Sequence, residues 1–213
     1  RHTRYWRDWS SDVCSSDLEG GASTGPYASL NLASHVGDRW EAVAANRGRL
    51  VKTQGLPSDP CWLEQVHGNV CIRAERSLPS PPIADAAWTA STGVVCAVLT
   101  ADCLPILLCD RGGTRIAAVH AGWRGLAGGV IANAVRCLTA SAGLLAWIGP
   151  GIGPLAYRVD DGFRERFLAF LANFEIHHTR LPICKRDTVW VENCVAEVSG
   201  VNAFCFPIDK AQL

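Results

Sequence analysis

Short apolar runs separated by turn residues fill the middle of this 213-residue chain. Four runs have the length of strands: VVCAVLT (94–100), LPILLC (104–109), RIAAVH (115–120) and LLAWI (144–148). Their short length and β-branched residues favour strands over helices. A fifth segment, CWLEQVH (61–67), is also predicted to be a strand, because its period of two places His67 on the same face as Cys61 and Gln65. The pattern therefore predicts β-sheet over this region.

Two other segments repeat their apolar residues at helical spacing. The first is predicted to be a helix over 39–51, with Asp38 and Glu41 arranged as a capping box at its start. The second follows the glycine-rich GWRG (122–125), and its apolar stripe contains Leu126, Val130, Ile131, Ala134, Val135 and Leu138. The pair at 160–161, both aspartates, is predicted to cap a third helix. Along the sequence, helices are thus expected before, between and after the predicted strands.

Two of the predicted strands are joined by a glycine pair, Gly112–Gly113, which indicates a β-hairpin. Antiparallel pairing about this turn places Cys103 opposite residue 121 or 122. Cys103 and His120 then lie side by side at the open end of the hairpin, with Cα atoms about 5 Å apart. The spacing therefore makes a thiol and an imidazole neighbours without a further assumption.

A neighbouring cysteine and histidine can have three roles. They can bind a metal, since zinc accepts thiolate and imidazole together, they can act as nucleophile and base, or they can be ordinary strand-end residues. His67 also ends a predicted strand and is followed by a glycine, so it is a candidate third ligand. Two imidazoles and one thiolate would leave the fourth tetrahedral position for water or substrate, as in catalytic zinc sites.

Residues next to these ligands are candidates for contacts with a substrate. Arg124 precedes the second predicted helix, and a helix N-terminus beside an arginine can bind an anion or a phosphate. The alternative is a glycine-rich turn with a solvated arginine. Gly122 and Gly125 would let the backbone come close to a ligand. Asp102, beside Cys103, is a candidate to orient a ligand or to move a proton, or it simply ends a strand.

Composition and charge narrow the classes of function. Lys+Arg and Asp+Glu are 20 each, so there is no basic excess that would predict binding to nucleic acid or to an anionic membrane. Hydrophobic residues make up 48% of the chain, but no apolar run approaches the roughly 18 residues that a membrane-spanning helix needs. We therefore expect a soluble, cytoplasmic protein that folds as one compact domain.

Ten cysteines are a high number for a chain of this kind. A disulfide framework is typical of short secreted chains with small cores. Here most cysteines lie inside apolar runs, as Cys96, Cys109 and Cys137 do. Apart from Cys103, they are therefore predicted to be small buried hydrophobic residues.

The first eighteen residues differ from the rest of the chain. They are crowded with Trp, Arg, Ser and Asp and show no apolar periodicity. The stretch DWSSDVCSSDL within them resembles the translation of a sequencing-library adapter. Residues 1–18 are therefore predicted to be a non-native segment, and residues 19–213 a single domain.

Five motifs together carry a family resemblance: PYASLNLASHVGD, WLEQVHG, LTADCLPILLC, AAVHAGWRGL and AWIGPGIGP. In this order they resemble the bacterial laccase-domain, or polyphenol-oxidase-like, family, whose members are also described as zinc-dependent purine nucleoside phosphorylases. The resemblance covers roughly Glu19 to Phe170. It implies an α/β (α+β) fold, with a single layered domain in which a mixed β-sheet is flanked by helices.

The resemblance also implies a metal site and a reaction. The family's ligands lie in the QVHG, TADC and HAGWRG motifs, which gives His67, Cys103 and His120 in this sequence. The implied activity is zinc-dependent phosphorolysis of adenosine, inosine, guanosine and methylthioadenosine, with adenosine deamination as a second activity. Purine nucleoside and phosphate are then the partners. The alternatives are copper-dependent oxidation of phenols and a cysteine-type amidase acting on peptidoglycan precursors.

Two segments typical of the family have no counterpart in this sequence. One is a Phe-x-Thr-Arg segment before the first glycine pair, and the other is a Ser-Tyr-Arg-Arg-Asp segment near the end, where this chain has FCFPIDKAQL (204–213). The second of these segments lies near the family's substrate site. Metal binding without turnover is therefore a second expectation for this chain.

Overall fold

In the computed structural model, the described residues are 19–76, 78–138 and 143–152, together with positions 162 and 165 and the backbone of 202–207. The chain groups into two compact units, Arg1–Ile152 with Cys194–Leu213, and Gly153–Asn193. The elements of the first unit include a short 3-10 turn, Gly25–Tyr27, and the helices α1 (Trp40–Gln54), α2 (Trp123–Gly128) and α3 (Val130–Leu138). Its strands are β1 (Cys71–Arg73), β2 (Ala86–Thr89), β3 (Val95–Thr100), β4 (Leu104–Asp110), β5 (Ile116–Ala121), β6 (Leu144–Ile148) and β7 (Asn202–Pro207).

Five strands form one mixed sheet in the order β1-β2-β5-β4-β6. β1 runs parallel to β2, and the other neighbouring pairs are antiparallel. One face of the sheet packs on α3, which buries Val130, Ala134 and Leu138 against Val119 and Ile106. The other face packs on a cluster that includes residues of β3, and β3 pairs in parallel with β7 as a second, two-stranded sheet. The predicted α+β fold, a mixed sheet flanked by helices, is confirmed.

The predicted hairpin is present as β4 and β5. Its register pairs Pro105 with His120, and the same register places Cys103 opposite Gly122. β3 and β6 also match the predicted runs. The pattern does not predict β1 or β2, because they have only 3 and 4 residues and are too short to show a period. It does not predict β7 either.

The predicted strand over 61–67 is wrong. Within the described residues, this segment makes two isolated bridges, Cys61 with Cys96 and Glu64 with Ile83. The side-chain amide of Gln65 donates to the carbonyl of Leu99 and accepts from the amide of Leu99, both at 2.8 Å. A side chain therefore takes the place of a backbone ladder here. The backbone then turns at His67, whose φ is 59°.

The first predicted helix is confirmed as α1, which continues to Gln54 and ends where Gly55 adopts a left-handed conformation (φ 60°). The predicted capping box is wrong. The carboxylate of Asp38 instead accepts hydrogen bonds from the hydroxyl of Ser23 and the side-chain amide of Asn31. Tertiary partners thus replace the local contact that the spacing predicts.

The second predicted helix is two helices in the structure. α2 begins at Trp123, earlier than expected, and Gly129 (φ 84°) separates it from α3. The pattern assigns Val135 to the apolar stripe, but its side chain is 37% exposed. The predicted helix start at 160–161 lies outside the described residues.

Six cysteines have side chains that the structure describes, and all six are free thiols. Cys61, Cys96 and Cys109 are buried, as predicted for small hydrophobic residues. Cys71 and Cys137 are half-buried, and burial together with the neighbouring Cys137 raises the pKa of the Cys71 thiol. Among the described residues, no helix combines the length and the apolar character needed to cross a membrane.

Candidate metal centre

His67, Cys103 and His120 come together at the open end of the β4–β5 hairpin. One nitrogen from each imidazole and the Sγ atom of the thiol all lie within 4.8 Å of one another. The rings of the two histidines meet edge to face, with centroids 4.8 Å apart. Since His67 is exposed, Cys103 half-buried and His120 buried, the cluster faces the surface on the side of His67.

Two members of the cluster owe their positions to the hairpin. His120 is the penultimate residue of β5, and Cys103 directly precedes β4. The pairing of Pro105 with His120 sets the distance between them. The Sγ atom of Cys103 and a ring nitrogen of His120 lie within 4.8 Å of one another. The predicted proximity of this pair therefore follows from strand register.

A buried carboxylate that the sequence analysis did not single out, Asp85, links the third member to the hairpin. Its Oδ1 lies 2.8 Å from Nδ1 of His120 and accepts a hydrogen bond from the backbone amide of His67 at 2.9 Å. Its Oδ2 accepts the amides of Val66 at 3.2 Å and Gly68 at 2.6 Å. The available signal was a lone carboxylate in the apolar run IADAAW, since a buried acid requires partners.

The turn at His67 brings its ring beside that of His120. A positive φ of 59° is uncommon for a residue other than glycine. Three successive amides, those of Val66, His67 and Gly68, point at Asp85 and hold this conformation. A continuous strand through His67 would point successive amides in opposite directions, so the turn and the predicted strand are incompatible.

Two glycines at the start of α2 make room for this loop. A Cβ atom at Gly122 would lie 2.9 Å from Sγ of Cys103 and 2.9 Å from Cδ2 of His67. A Cβ atom at Gly125 would lie 2.8 Å from the carbonyl oxygen of Gly68. The sequence suggested that these glycines admit a ligand. In the structure the space at these glycines is occupied by the loop around His67 and by the side chains of Cys103 and His67.

Hydrogen bonds to Asp85 shift the pKa values of Asp85 and His120. Burial alone would raise the pKa of Asp85, but the hydrogen bonds from His120 and the Gly68 amide outweigh it, so the pKa lies below its usual value. Burial alone would lower the pKa of His120, but hydrogen bonds to Asp85 and Cys103 raise it to about 9. Burial and the neighbouring His120 lower the pKa of His67.

The two other predicted site residues lie close to the ligands in the sequence. Arg124 was expected to precede the helix, but it lies in the first turn of α2, exposed, with its guanidinium 4.7 Å from the ring of Trp123. Its positive charge contributes to the lowered pKa of His67. Asp102 is half-buried, and its carbonyl accepts a hydrogen bond from the amide of Ile152, so residue 152 lies against the segment that precedes β4.

The chemistry of these donors fits a metal that accepts both nitrogen and sulfur. Zinc binds thiolate at about 2.3 Å and imidazole at about 2.0–2.1 Å. Because Nδ1 of His120 faces Asp85, its Nε2 is the available ligand atom. A carboxylate on the other ring nitrogen is the usual support of a metal-binding histidine. A copper ion accepts the same donor types.

The fold and the cluster define an α+β protein with a candidate His–Cys–His metal centre at the open end of a hairpin. Residues 12–191 match the family model described as multi-copper polyphenol oxidoreductase laccase. This chain belongs to that family.

Curated relatives have a different description. Purine nucleoside phosphorylase YfiH of Shigella flexneri is 50% identical over 158 residues, which cover 74% of this chain and 65% of the relative. Purine nucleoside phosphorylase PA4543 of Pseudomonas aeruginosa is 49% identical over 159 residues, covering 74% of this chain and 64% of the relative. The matches thus span less than two thirds of the length of these relatives.

A solved structure supports the fold. The crystal structure of the Neisseria meningitidis protein NMB0706 superposes with a TM-score of 0.65 at 44% identity, covering 71% of this chain and 62% of that one. At this identity the likeness extends beyond general architecture to the sequence.

Proposed function

We propose that this protein is a zinc-dependent purine nucleoside phosphorylase whose metal ligands are His67, Cys103 and His120. The convergence of these three groups from separate parts of the chain carries the proposal. The names of the relatives supply the reaction, with a purine nucleoside and phosphate as substrates. Adenosine, inosine, guanosine and methylthioadenosine are the proposed nucleosides, and adenosine deamination is the proposed second activity.

The neighbouring residues have distinct proposed roles. Zinc with three protein ligands supplies a Lewis acid at its open position. Asp85 holds the ring of His120 through Nδ1. The exposed guanidinium of Arg124, whose charge acts on His67, is the proposed phosphate-binding group. Asp102 is proposed to orient a ligand or to transfer a proton.

Product analysis tests the proposed reaction. In phosphorolysis, a phosphate oxygen forms a bond to C1′ of the ribose while the bond from C1′ to the purine nitrogen breaks, and the base leaves with a proton. Zinc-loaded protein with inosine and phosphate should yield hypoxanthine and ribose 1-phosphate, and no base should form without phosphate. His67→Ala should abolish this turnover. His35→Ala, which changes another exposed histidine, should not.

The contacts of His120 favour a second candidate function. Cys103, His120 and Asp85 follow one another as thiol, imidazole and carboxylate, which is the order of a nucleophile, its base and the group that orients the base. This arrangement supports a cysteine-type amidase, in which the thiolate attacks the amide carbon and the amine leaves with the proton from the imidazole. His67 has no role in that reaction, and for this reason we prefer the metal centre.

Zinc content and alkylation rate separate these two candidates. A zinc-bound thiolate is occupied, so Cys103 should resist alkylation until the metal is removed. Cys103→Ser should lower zinc content and activity together. Full zinc occupancy in Cys103→Ser, with rapid alkylation of Cys103 in the zinc-loaded parent, would instead establish the nucleophile.

The description of the family favours copper-dependent oxidation of phenols as a further alternative. Among the described residues there is one group of three His, Cys, Asp or Glu side chains close enough to hold a metal. Copper-loaded protein supplied with a phenol and oxygen is the matching assay. Oxidation of the phenol with copper, and no purine release with zinc, would replace the phosphorylase proposal.

A further inference from the structure

The carboxylate of Asp85 is the most heavily used acceptor around the candidate metal centre. The residue is 0% exposed, and its two oxygens contact four donors: Nδ1 of His120 and the amides of Val66, His67 and Gly68. Its own carbonyl accepts the amide of His120 at 2.8 Å. A buried carboxylate is stable only when its acceptor sites are filled in this way.

These contacts join two ligands that lie far apart in the sequence. His67 precedes Asp85 by 18 residues, and His120 follows it by 35. Asp85 holds the backbone of His67 and both the ring and the backbone of His120. We infer that Asp85 is a positioning residue, which sets the relative placement of His67 and His120 and so prepares the site for metal. This inference rests on the proposed metal centre.

The donors around Asp85 require a carboxylate at this position. Both oxygens of an ionised aspartate accept hydrogen bonds, whereas an asparagine side chain accepts at one oxygen and donates from its nitrogen. If the oxygen of a substituted asparagine faced His120, its NH2 group would face the amides of Val66 and Gly68. The opposite orientation would set the NH2 group against Nδ1–H of His120. Asparagine therefore cannot satisfy all four donors. The first orientation keeps the contacts with His120 and the His67 amide but loses the two flanking amides that hold the turn at His67. The second orientation loses both contacts with the ligands.

Zinc affinity of Asp85→Asn tests the inference. We expect its dissociation constant for zinc, measured by competition with a chelator, to rise by about 10–100-fold, as for other outer partners of metal ligands. The absorption spectrum of the cobalt-loaded variant should also change, because the cobalt bands report ligand geometry. Asp85→Glu keeps the charge and both acceptor oxygens, so it should bind zinc more tightly than Asp85→Asn even if both variants are less stable.

The matched control is Asp110→Asn. Asp110 is also a buried carboxylate that holds a turn, because it accepts the amides of Thr114 and Arg115 at the other end of the hairpin. This variant should lose stability and keep the zinc affinity and cobalt spectrum of the parent. Equal zinc loss in both variants, or parent-like affinity in Asp85→Asn, would overturn the inference about Asp85 alone. Failure of the parent to bind zinc would overturn the metal-centre proposal with it.

Discussion

Replacing Gly122 by alanine adds one methyl group between two of the proposed metal ligands. The new Cβ atom would lie 2.9 Å from both Sγ of Cys103 and Cδ2 of His67. Favourable contacts between such atoms need about 3.5–4.0 Å, so each neighbour must move by roughly 0.6–1.1 Å. Gly122 has φ −68° and ψ 159°, which alanine adopts readily. The penalty is therefore steric and falls on the ligands.

This displacement is large relative to what a metal site tolerates. Metal–ligand distances vary by about ±0.2 Å in genuine sites, so Gly122→Ala should reduce zinc binding strongly. Overpacking a filled region costs about 1–3 kcal/mol, and the free energy of unfolding should fall by that amount. Chelator competition gives the zinc affinity, and urea denaturation of the metal-free protein gives the stability.

Gly128→Ala is the matched control, because its Cβ atom would first meet Cβ of Asn69 at an acceptable 3.4 Å. Gly128 is the last residue of α2, where the preference of helix interiors for alanine over glycine, about 1 kcal/mol, applies only in part, so this variant should be about as stable as the parent. It should also keep the zinc affinity of the parent. If Gly122→Ala bound one zinc per chain with the affinity of the parent, the packing argument would be refuted.

Three other predictions concern stability. Zinc at 100 times its dissociation constant should add about 2.7 kcal/mol to the free energy of unfolding. This gain should raise Tm by roughly 5–10 °C, and a chelator that removes the metal should reverse it. An unchanged Tm in a thermal scan would contradict the metal centre. Asn46→Ala should lower the free energy of unfolding, measured by urea denaturation, by about 2–4 kcal/mol. The side-chain amide of Asn46 is fully buried, accepts a hydrogen bond from the amide of Ala22 and donates to three other groups. Thr53→Ala, at an exposed position, should change the stability little. Hydrogen bonds from Thr114 lower the pKa of Asp110 below its ordinary value of 3.8. The stability that the Asp110 carboxylate contributes is therefore present above pH 3.8 and is lost as the pH falls through the pKa of Asp110 in the folded protein. The difference in unfolding free energy between the parent and Asp110→Asn, about 1–2 kcal/mol at pH 7, should therefore vanish in acid, and a difference that persisted there would refute the assignment.

Local patterns in the sequence determined the hairpin and one pair in the site. The glycine turn and the two apolar runs fix the register of β4 and β5, and this register brings Cys103 next to His120. Such a pattern is informative because both strands and their turn are continuous in the chain, so few alternative pairings exist. The same local character made β3, β6 and α1 predictable.

Features that depend on distant contacts could not be predicted in the same way. The period of two over 61–67 is present as a pattern, but the side chains of Gln65 and Asp85 replace the strand partners there. The capping box failed for the same reason, because Ser23 and Asn31 bind Asp38. A side chain that competes with backbone hydrogen bonding leaves no periodic signal in the sequence.

The candidate site likewise has a part that local sequence predicts and a part that depends on distant contacts. The sequence determined which residue types are available as ligands and which two of them are neighbours, because these facts depend on composition and on one turn. Only the tertiary structure decided that His67 joins them, and that Asp85, 18 residues further along the chain, holds it there. The physical reason is that this contact forms between separate segments packed by the sheet and by α2, and its stability depends on burial that no single segment has in isolation.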